Sequence, residues 1–358
     1  MTTLDIASHR LSNQHIAQSP FKKSSEVVSW LGAVQAQDYL GALWAVGLRL
    51  RNATEADIER AIADKTIVRT WPMRGTLHFV APADVRWMLA LLTPRVMANS
   101  ARRHAQLALD DAIFARSQAL FAEALWGGQQ LTRKEMMDVL EQAGISTDHQ
   151  RGYHILLWAA QTGLICCGPR RGKQPTYVLL DEWVPSGKHL TRDESLAELA
   201  HRYFTGHGPA TLQDFMWWSG LAATDARAGL EMAKSHLAQE VSDGQTYWLA
   251  SSLPTAQDAS PTAYLLPAYD EYTVAYQDRR AVLNPLYAQQ ANYRYGIFNP
   301  TIIVDGQVVG TWKRTLKRDA VIITPTPFAK FNNAEASALA IAAEGYGQFI
   351  GLPAALHQ

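Results

Sequence analysis

Apolar positions recur along this chain in short helix-like blocks. Each group of blocks gives way to a pair of alternating, β-branched segments. In the first group, Val27, Val28, Leu31 and Val34 fall at helical spacing behind Ser24 and Ser25, residues suited to an N-cap. The pattern predicts a helix that runs on through LGAVQAQDY, residues 31–39. A second apolar block, ALWAVGLRL, follows Gly41. Thr54, with Asp57 three residues on, forms a capping box that opens a third helix, TEADIERAIADK. Segments 67–70 and 76–80 then read as strands about a turn at Met73, Arg74 and Gly75.

The second group repeats the plan. Asp110 and Asp111 cap a helix over 113–125 that stops at Gly127 and Gly128. Thr132 and Glu135 form a capping box for TRKEMMDVLEQAG, with Gly144 as its stop. A third helix covers 152–162, and LICCGPRRGKQPTYVLL reads as a hairpin with a basic tip. In the third group the helices are RDESLAELAHRYF, LQDFMWWSG capped by Thr211, and 224–237. Strands over 245–249 and 262–266 close it. Beyond it lies a strong hairpin, TIIVDGQVVGTWKRT, whose Asp305-Gly306 favours a type I′ turn. A last helix covers 334–345, and SSLPTAQDASP, 251–261, reads as a linker.

Three helices followed by a two-stranded wing is the winged-helix plan, a variant of the helix-turn-helix. The fold is therefore expected to be α+β and mainly helical, with three tandem winged-helix units and β-hairpin wings. The expected boundaries are 1–92, 93–190 and 191–266, with 267–358 as a C-terminal hairpin and helix segment packed on the array.

Composition narrows the function. The chain has 358 residues, 47% hydrophobic and 18% charged, which excludes wholesale disorder. Lys+Arg and Asp+Glu both number 33, so the formal net charge is zero and argues mildly against a nucleic-acid partner. No apolar run approaches the ~20 residues that span a bilayer, and the first residues lack a signal-peptide pattern. The two cysteines, Cys166 and Cys167, are adjacent and suit neither a disulfide framework nor a zinc cage. A cytoplasmic protein without membrane contact is expected. The 11 Trp residues, Trp217, Trp218 and Trp312 among them, are expected in cores.

Standard chemical signatures are missing: no GxxxxGK[ST], no GxGxxG after a strand, no HExxH and no GxSxG. The histidines are scattered and read as ordinary ones. Asp270 and Glu271 are neighbours whose side chains diverge, so they are not read as an acid/base couple. One segment resists a bland reading. Gln35 stands four residues from Leu31, on the face expected to be buried, and a buried amide without partners costs about 1–3 kcal/mol. The segment RTWPMRGTLH, 69–78, gathers two arginines, a tryptophan and a histidine in one hairpin. Guanidinium forks suit phosphate and indole suits base stacking. Arg102-Arg103, Arg171 and Lys313-Arg314 add further basic positions.

Taken together, LGAVQAQDY, RTWPMRGTLHFV, GPATLQDFMWWSG (208–220), LLPAYDEYTVAYQDR (265–279) and VGTW (309–312) resemble the AlkZ/YcaQ-type winged-helix DNA glycosylases, in the family's order across nearly the whole chain. The resemblance implies a C-shaped array around a DNA channel and a catalytic Gln-apolar-Gln motif, here Gln35-Ala36-Gln37. A related branch has Asp at the second glutamine, so this chain looks like the AlkZ branch. It also implies a monofunctional hydrolase, without lyase activity, cofactor or metal. Such an enzyme would act on double-stranded DNA carrying N7-alkylated purines, with bulky adducts and interstrand crosslinks left open, in base excision repair or genotoxin resistance.

An N7-alkylated purine is already a cationic leaving group, so the enzyme has mainly to orient a water and stabilise an oxocarbenium-like state. Gln35 and Gln37 are the expected water-positioning residues, with Asp38 as electrostatic helper. Arg69, Arg74, His78, Arg102, Arg103, Arg171, Lys313 and Arg314 are the expected DNA contacts, and a monomer is expected. The alternative is a non-catalytic winged-helix DNA-binding protein such as a transcriptional regulator.

Overall fold

The computed structural model describes residues 3–184, 187–250, 261–291 and 299–357, so all but the last position of the expected linker lies outside the described residues. The chain forms two compact units. One comprises Met1–Ile58, Leu196–Trp218 and Ala222–Gln358; the other comprises Glu59–Ser195 with Ser219–Leu221. Helices and sheets are mixed in both, and no helix among the described residues is long and apolar enough to cross a membrane.

The second unit is continuous apart from three residues. Its strands Thr76–Val80, Val68–Met73, Ile165–Arg171, Gln174–Leu179 and Leu131–Thr132 lie in that order, each antiparallel to the next. Helices Asp111–Leu125, Arg133–Gln142 and Arg151–Gln161 follow the sequence pattern, because their stops and caps are local. Asp110 accepts from the Ile113 amide at 2.8 Å, and Thr132 and Glu135 form the reciprocal capping box. Trp71 is buried and stacks on Tyr177 at 6.4 Å, within a core that includes Phe114, Phe121, Leu140 and Ile155. A 22-residue helix, Val85–Gln106, has no counterpart in the sequence pattern. It passes through Pro94, a residue that ordinarily ends a helical stretch.

In the first unit, two expectations are corrected. The helix expected through 31–39 stops early: it spans Ser24–Leu31, and Gly32 turns out of it with φ 73°. The third wing is also composed differently. Gln245–Ala250 pairs with Leu237–Ser242, whose first residue is expected to end the helix over 224–237; helix Ala223–Ala233 finishes sooner. Ala263–Leu266 instead joins a five-stranded sheet. Its order is Ala354–Leu356, Val321–Pro327, Gln307–Leu316, Thr301–Val304, Ala263–Leu266, with only the first pair parallel. The turn joining Val304 to Gln307 has positive φ at Asp305 (46°) and Gly306 (82°), the two-residue geometry that fits strand twist.

Two indoles tie this sheet to its neighbours. Trp44 Nε1 donates to Leu265 O at 2.6 Å, and Trp312 Nε1 to Leu266 O at 2.8 Å. Both rings meet Tyr346 of the last helix, Asn333–Ile350, edge-on at 5.2 Å. Beside them is a fully buried ion pair. Arg49 Nη1 and Nη2 donate to the two oxygens of Asp270 at 2.9 and 2.8 Å. Arg49 also donates to Ala45 O at 2.7 Å, to Gln14 Oε1 at 2.8 Å and, through Nε, to Gln14 O at 2.9 Å. All five guanidinium donors are thus engaged. Arg49→Ala should lower unfolding free energy by about 3–5 kcal/mol, since it strands a buried carboxylate. Equilibrium urea unfolding of the two proteins measures this directly.

Candidate active site

The Gln-apolar-Gln motif lies between two helices. After Gly32 the backbone is extended through Val34 and Gln35, and helix Tyr39–Gly47 begins behind Asp38. Exposure rises only at the end of the motif: Gln35 is 9% exposed, Ala36 is fully buried and Gln37 is exposed. The strand ends at Gln35 and Gln37 lies in a bend, so the break in helix leaves one glutamine buried and the next open to solvent just ahead of helix Tyr39–Gly47. Asp38 is exposed, and its carboxylate crowds the space a side chain would take at Gly41: an added Cβ there would stand 2.7 Å from Oδ2.

A buried carboxylate lies beneath this segment. Glu271 opens a short helix, Glu271–Val274, capped by Asp270, whose side chain accepts from the Tyr272 amide. Asp270 and Glu271 diverge as neighbours should, Asp270 toward Arg49 and Glu271 toward the motif. Glu271 Oε1 accepts from the Gln35 amide at 2.9 Å, and Oε2 accepts from Trp218 Nε1 at 2.9 Å. His207 Nε2 stands 3.3 Å from Oε2, and neither His207 nor Glu271 has solvent exposure. The imidazole stacks on Tyr203 at 5.0 Å and packs against Trp218 at 5.3 Å. Tyr276 donates to His207 O at 2.6 Å and Tyr203 to Ala275 O at 2.8 Å. Burial pushes both phenols well above their ordinary range, so they stay neutral donors.

Sequence reasoning missed Glu271 and His207. It set the first aside as half of a diverging pair and the second as an ordinary histidine. The available signal was a set of charged residues in apolar surroundings: Arg49 inside ALWAVGLRL, and Asp270-Glu271 inside LLPAYDEYTVAY. Buried charges need partners, so such residues point to one another. The expectation that Trp217, Trp218 and Trp312 are all in cores is corrected at one position. Trp218 and Trp312 are buried, but Trp217 is 43% exposed and donates from Nε1 to Val274 O. It is held at the surface because its neighbour Trp218 takes the inward side of helix Leu212–Ser219.

The expected DNA contacts are of three kinds. Arg69 and His78 are buried; Arg69 is the cross-strand partner of Cys167, and His78 Nδ1 is 2.9 Å from Thr76 O. Arg74 is half-buried at the hairpin turn, with Nη2 3.4 Å from His78 Nε2. Arg102, Arg103, Arg171 and Lys313 are exposed. Arg103 reaches Gln150 at 3.1 Å, and Arg171 pairs with Glu135 at 2.8 Å. Arg314, partly exposed, donates to the Tyr346 hydroxyl. Cavities of about 550 and 340 Å³ lie elsewhere, and neither has Gln35 or Gln37 in its wall.

Residues 28–349 match the family described as DNA glycosylase AlkZ-like. The chain is 26% identical over 340 residues to the interstrand DNA cross-link repair glycosylase of Streptomyces sahachiroi, covering 89% of each. It superposes over its full length on the whole of the Streptomyces sahachiroi DNA glycosylase AlkZ structure, with a TM-score of 0.80 at 23% identity. The family match spans the glutamine segment, His207, Trp218 and Glu271 alike: this chain belongs to the AlkZ-like DNA glycosylases.

Proposed function

We propose that this glycosylase hydrolyses the N-glycosidic bond of N7-alkylated purines in double-stranded DNA, with Gln35 and Gln37 orienting the attacking water. The observation that carries the reading is the glutamine segment between two helices, with the Gln35 amide held on a buried carboxylate and Gln37 open to solvent. Glutamine is no base at neutral pH, but its carbonyl oxygen accepts from water and its NH₂ donates elsewhere. Water adds to C1′, the C1′–N9 electron pair leaves with the purine and cancels its charge, and the water's proton passes to solvent. Neutral amides approach a cationic lesion without repelling it. Because the Streptomyces relative is named for interstrand crosslinks, bulky adducts and crosslinks belong in the substrate range to be tested.

The same proposal keeps a tandem array of three winged-helix units, acting as a monomer, over 1–92, 93–190 and from 191 through the hairpin ending at Ala250, with the strand Ala263–Leu266 belonging to the appended C-terminal segment. The exposed cations Arg102, Arg103 and Lys313 are its leading phosphate contacts.

In single-turnover assays on a duplex containing N7-methylguanine, Gln35→Ala and Gln37→Ala should slow base release by roughly 100-fold or more at unchanged duplex affinity. Gln37→Asp should keep part of the rate. Wild-type rates in both alanine variants would remove the two glutamines from the mechanism. Lys313→Ala should weaken binding to any duplex sequence and reduce the slope of log K against log salt by about one. An unchanged slope would place Lys313 off the DNA.

A further inference from the structure

We infer that Glu271, braced by His207 and Trp218, is the positioning carboxylate of the glycosylase site: it fixes the backbone of Gln35 and supplies the negative charge that favours a developing sugar cation. The inference rests on the reading of Gln35 and Gln37 as water-positioning residues. It goes beyond that reading by adding a charge to a site otherwise built from neutral amides.

The geometry is specific. Glu271 has no solvent exposure, and both of its oxygens are addressed: Oε1 by the Gln35 amide at 2.9 Å, Oε2 by Trp218 Nε1 at 2.9 Å with His207 Nε2 at 3.3 Å. A carboxylate is expensive to bury unless it is hydrogen-bonded. Arg49 is bidentate to the neighbouring Asp270. The peptide and indole N–H groups that hold Glu271 are neutral donors that orient its carboxylate. His207 is committed to this arrangement as well. Its Nδ1 is buried with no hydrogen-bond partner among the described residues, while its ring is clamped between Tyr203 and Trp218. An orphaned buried ring nitrogen is costly, and such costs are characteristic of functional sites.

The chemistry then assigns the charge a role. Loss of a cationic purine transfers positive charge to the sugar, and Gln35 and Gln37 carry none to oppose it. A negative charge in a low-dielectric setting directly behind Gln35 acts at longer range than the same charge in water. Asp38, the earlier candidate, is exposed, and solvent screens it. Glu271 accepts no proton and forms no covalent bond in this scheme.

Glu271→Gln keeps the size of the side chain and an oxygen for the Gln35 amide, and removes the charge. Single-turnover release of N7-methylguanine should slow by about 100-fold, while duplex Kd and melting temperature stay close to wild type. A wild-type rate overturns the inference. So does a rate loss matched by equal losses in affinity and melting temperature, which would mark a purely structural carboxylate. Should Glu271→Gln fail to fold, Trp218→Phe removes one donor and keeps an aromatic ring. It should slow release at least about fivefold at unchanged Kd, and a wild-type rate there is equally fatal. Gln37→Ala run in parallel separates the two readings. Fast release by Gln37→Ala defeats the glutamine mechanism itself, whereas slow Gln37→Ala beside fast Glu271→Gln defeats only the part given to Glu271.

Discussion

The buried pair between Arg49 and Asp270 is the constraint on which the frame around the proposed glycosylase site depends. Its net contribution to stability is modest, because the desolvation of two charges offsets most of their attraction. What it supplies is position. The planar guanidinium engages both Asp270 oxygens, Gln14 twice and Ala45 once, so the carboxylate has little freedom to move. Asp270 in turn caps the turn that starts at Glu271. A salt bridge with no contact to the glutamines thereby sets where Glu271 meets the Gln35 backbone.

Two adjacent acids consequently have opposite environments. Asp270 is neutralised by an arginine and belongs to the frame. Glu271, one peptide later and on the other side of the chain, is held by N–H groups and a histidine beside the motif. Adjacent residues at the start of a helical turn point apart, which lets one short stretch serve both purposes. Tyr269, just upstream, has φ 61°, so the approach to this turn is itself conformationally unusual for a residue with a side chain.

Much of the fold was readable because much of it is local. Capping boxes at Thr54, Thr132 and Thr211 and the Asp305-Gly306 turn declare themselves within four residues. Gly32 is as local a signal, but the apolar spacing of Val34 behind Leu31 favours a longer helix where the chain instead forms the short strand Val34–Gln35. The long helix through Pro94 failed for the converse reason, since tertiary packing overrode a local breaker. The site was only half legible. Gln35 and Gln37 could be reached by motif, but the contact from Gln35 to Glu271 bridges 236 positions and that from Trp218 to Glu271 bridges 53. No spacing rule reports such convergence. Only the oddity of charges within apolar runs hints at it.

The same separation has a consequence for biosynthesis. The unit spanning Glu59–Ser195 is nearly contiguous and can collapse as soon as it emerges from the ribosome. The other unit is assembled from three separate stretches of chain. Its glutamine segment leaves the exit tunnel early and waits for more than two hundred further residues before its carboxylate arrives. A nascent or prematurely terminated chain therefore carries the motif without the carboxylate beneath it.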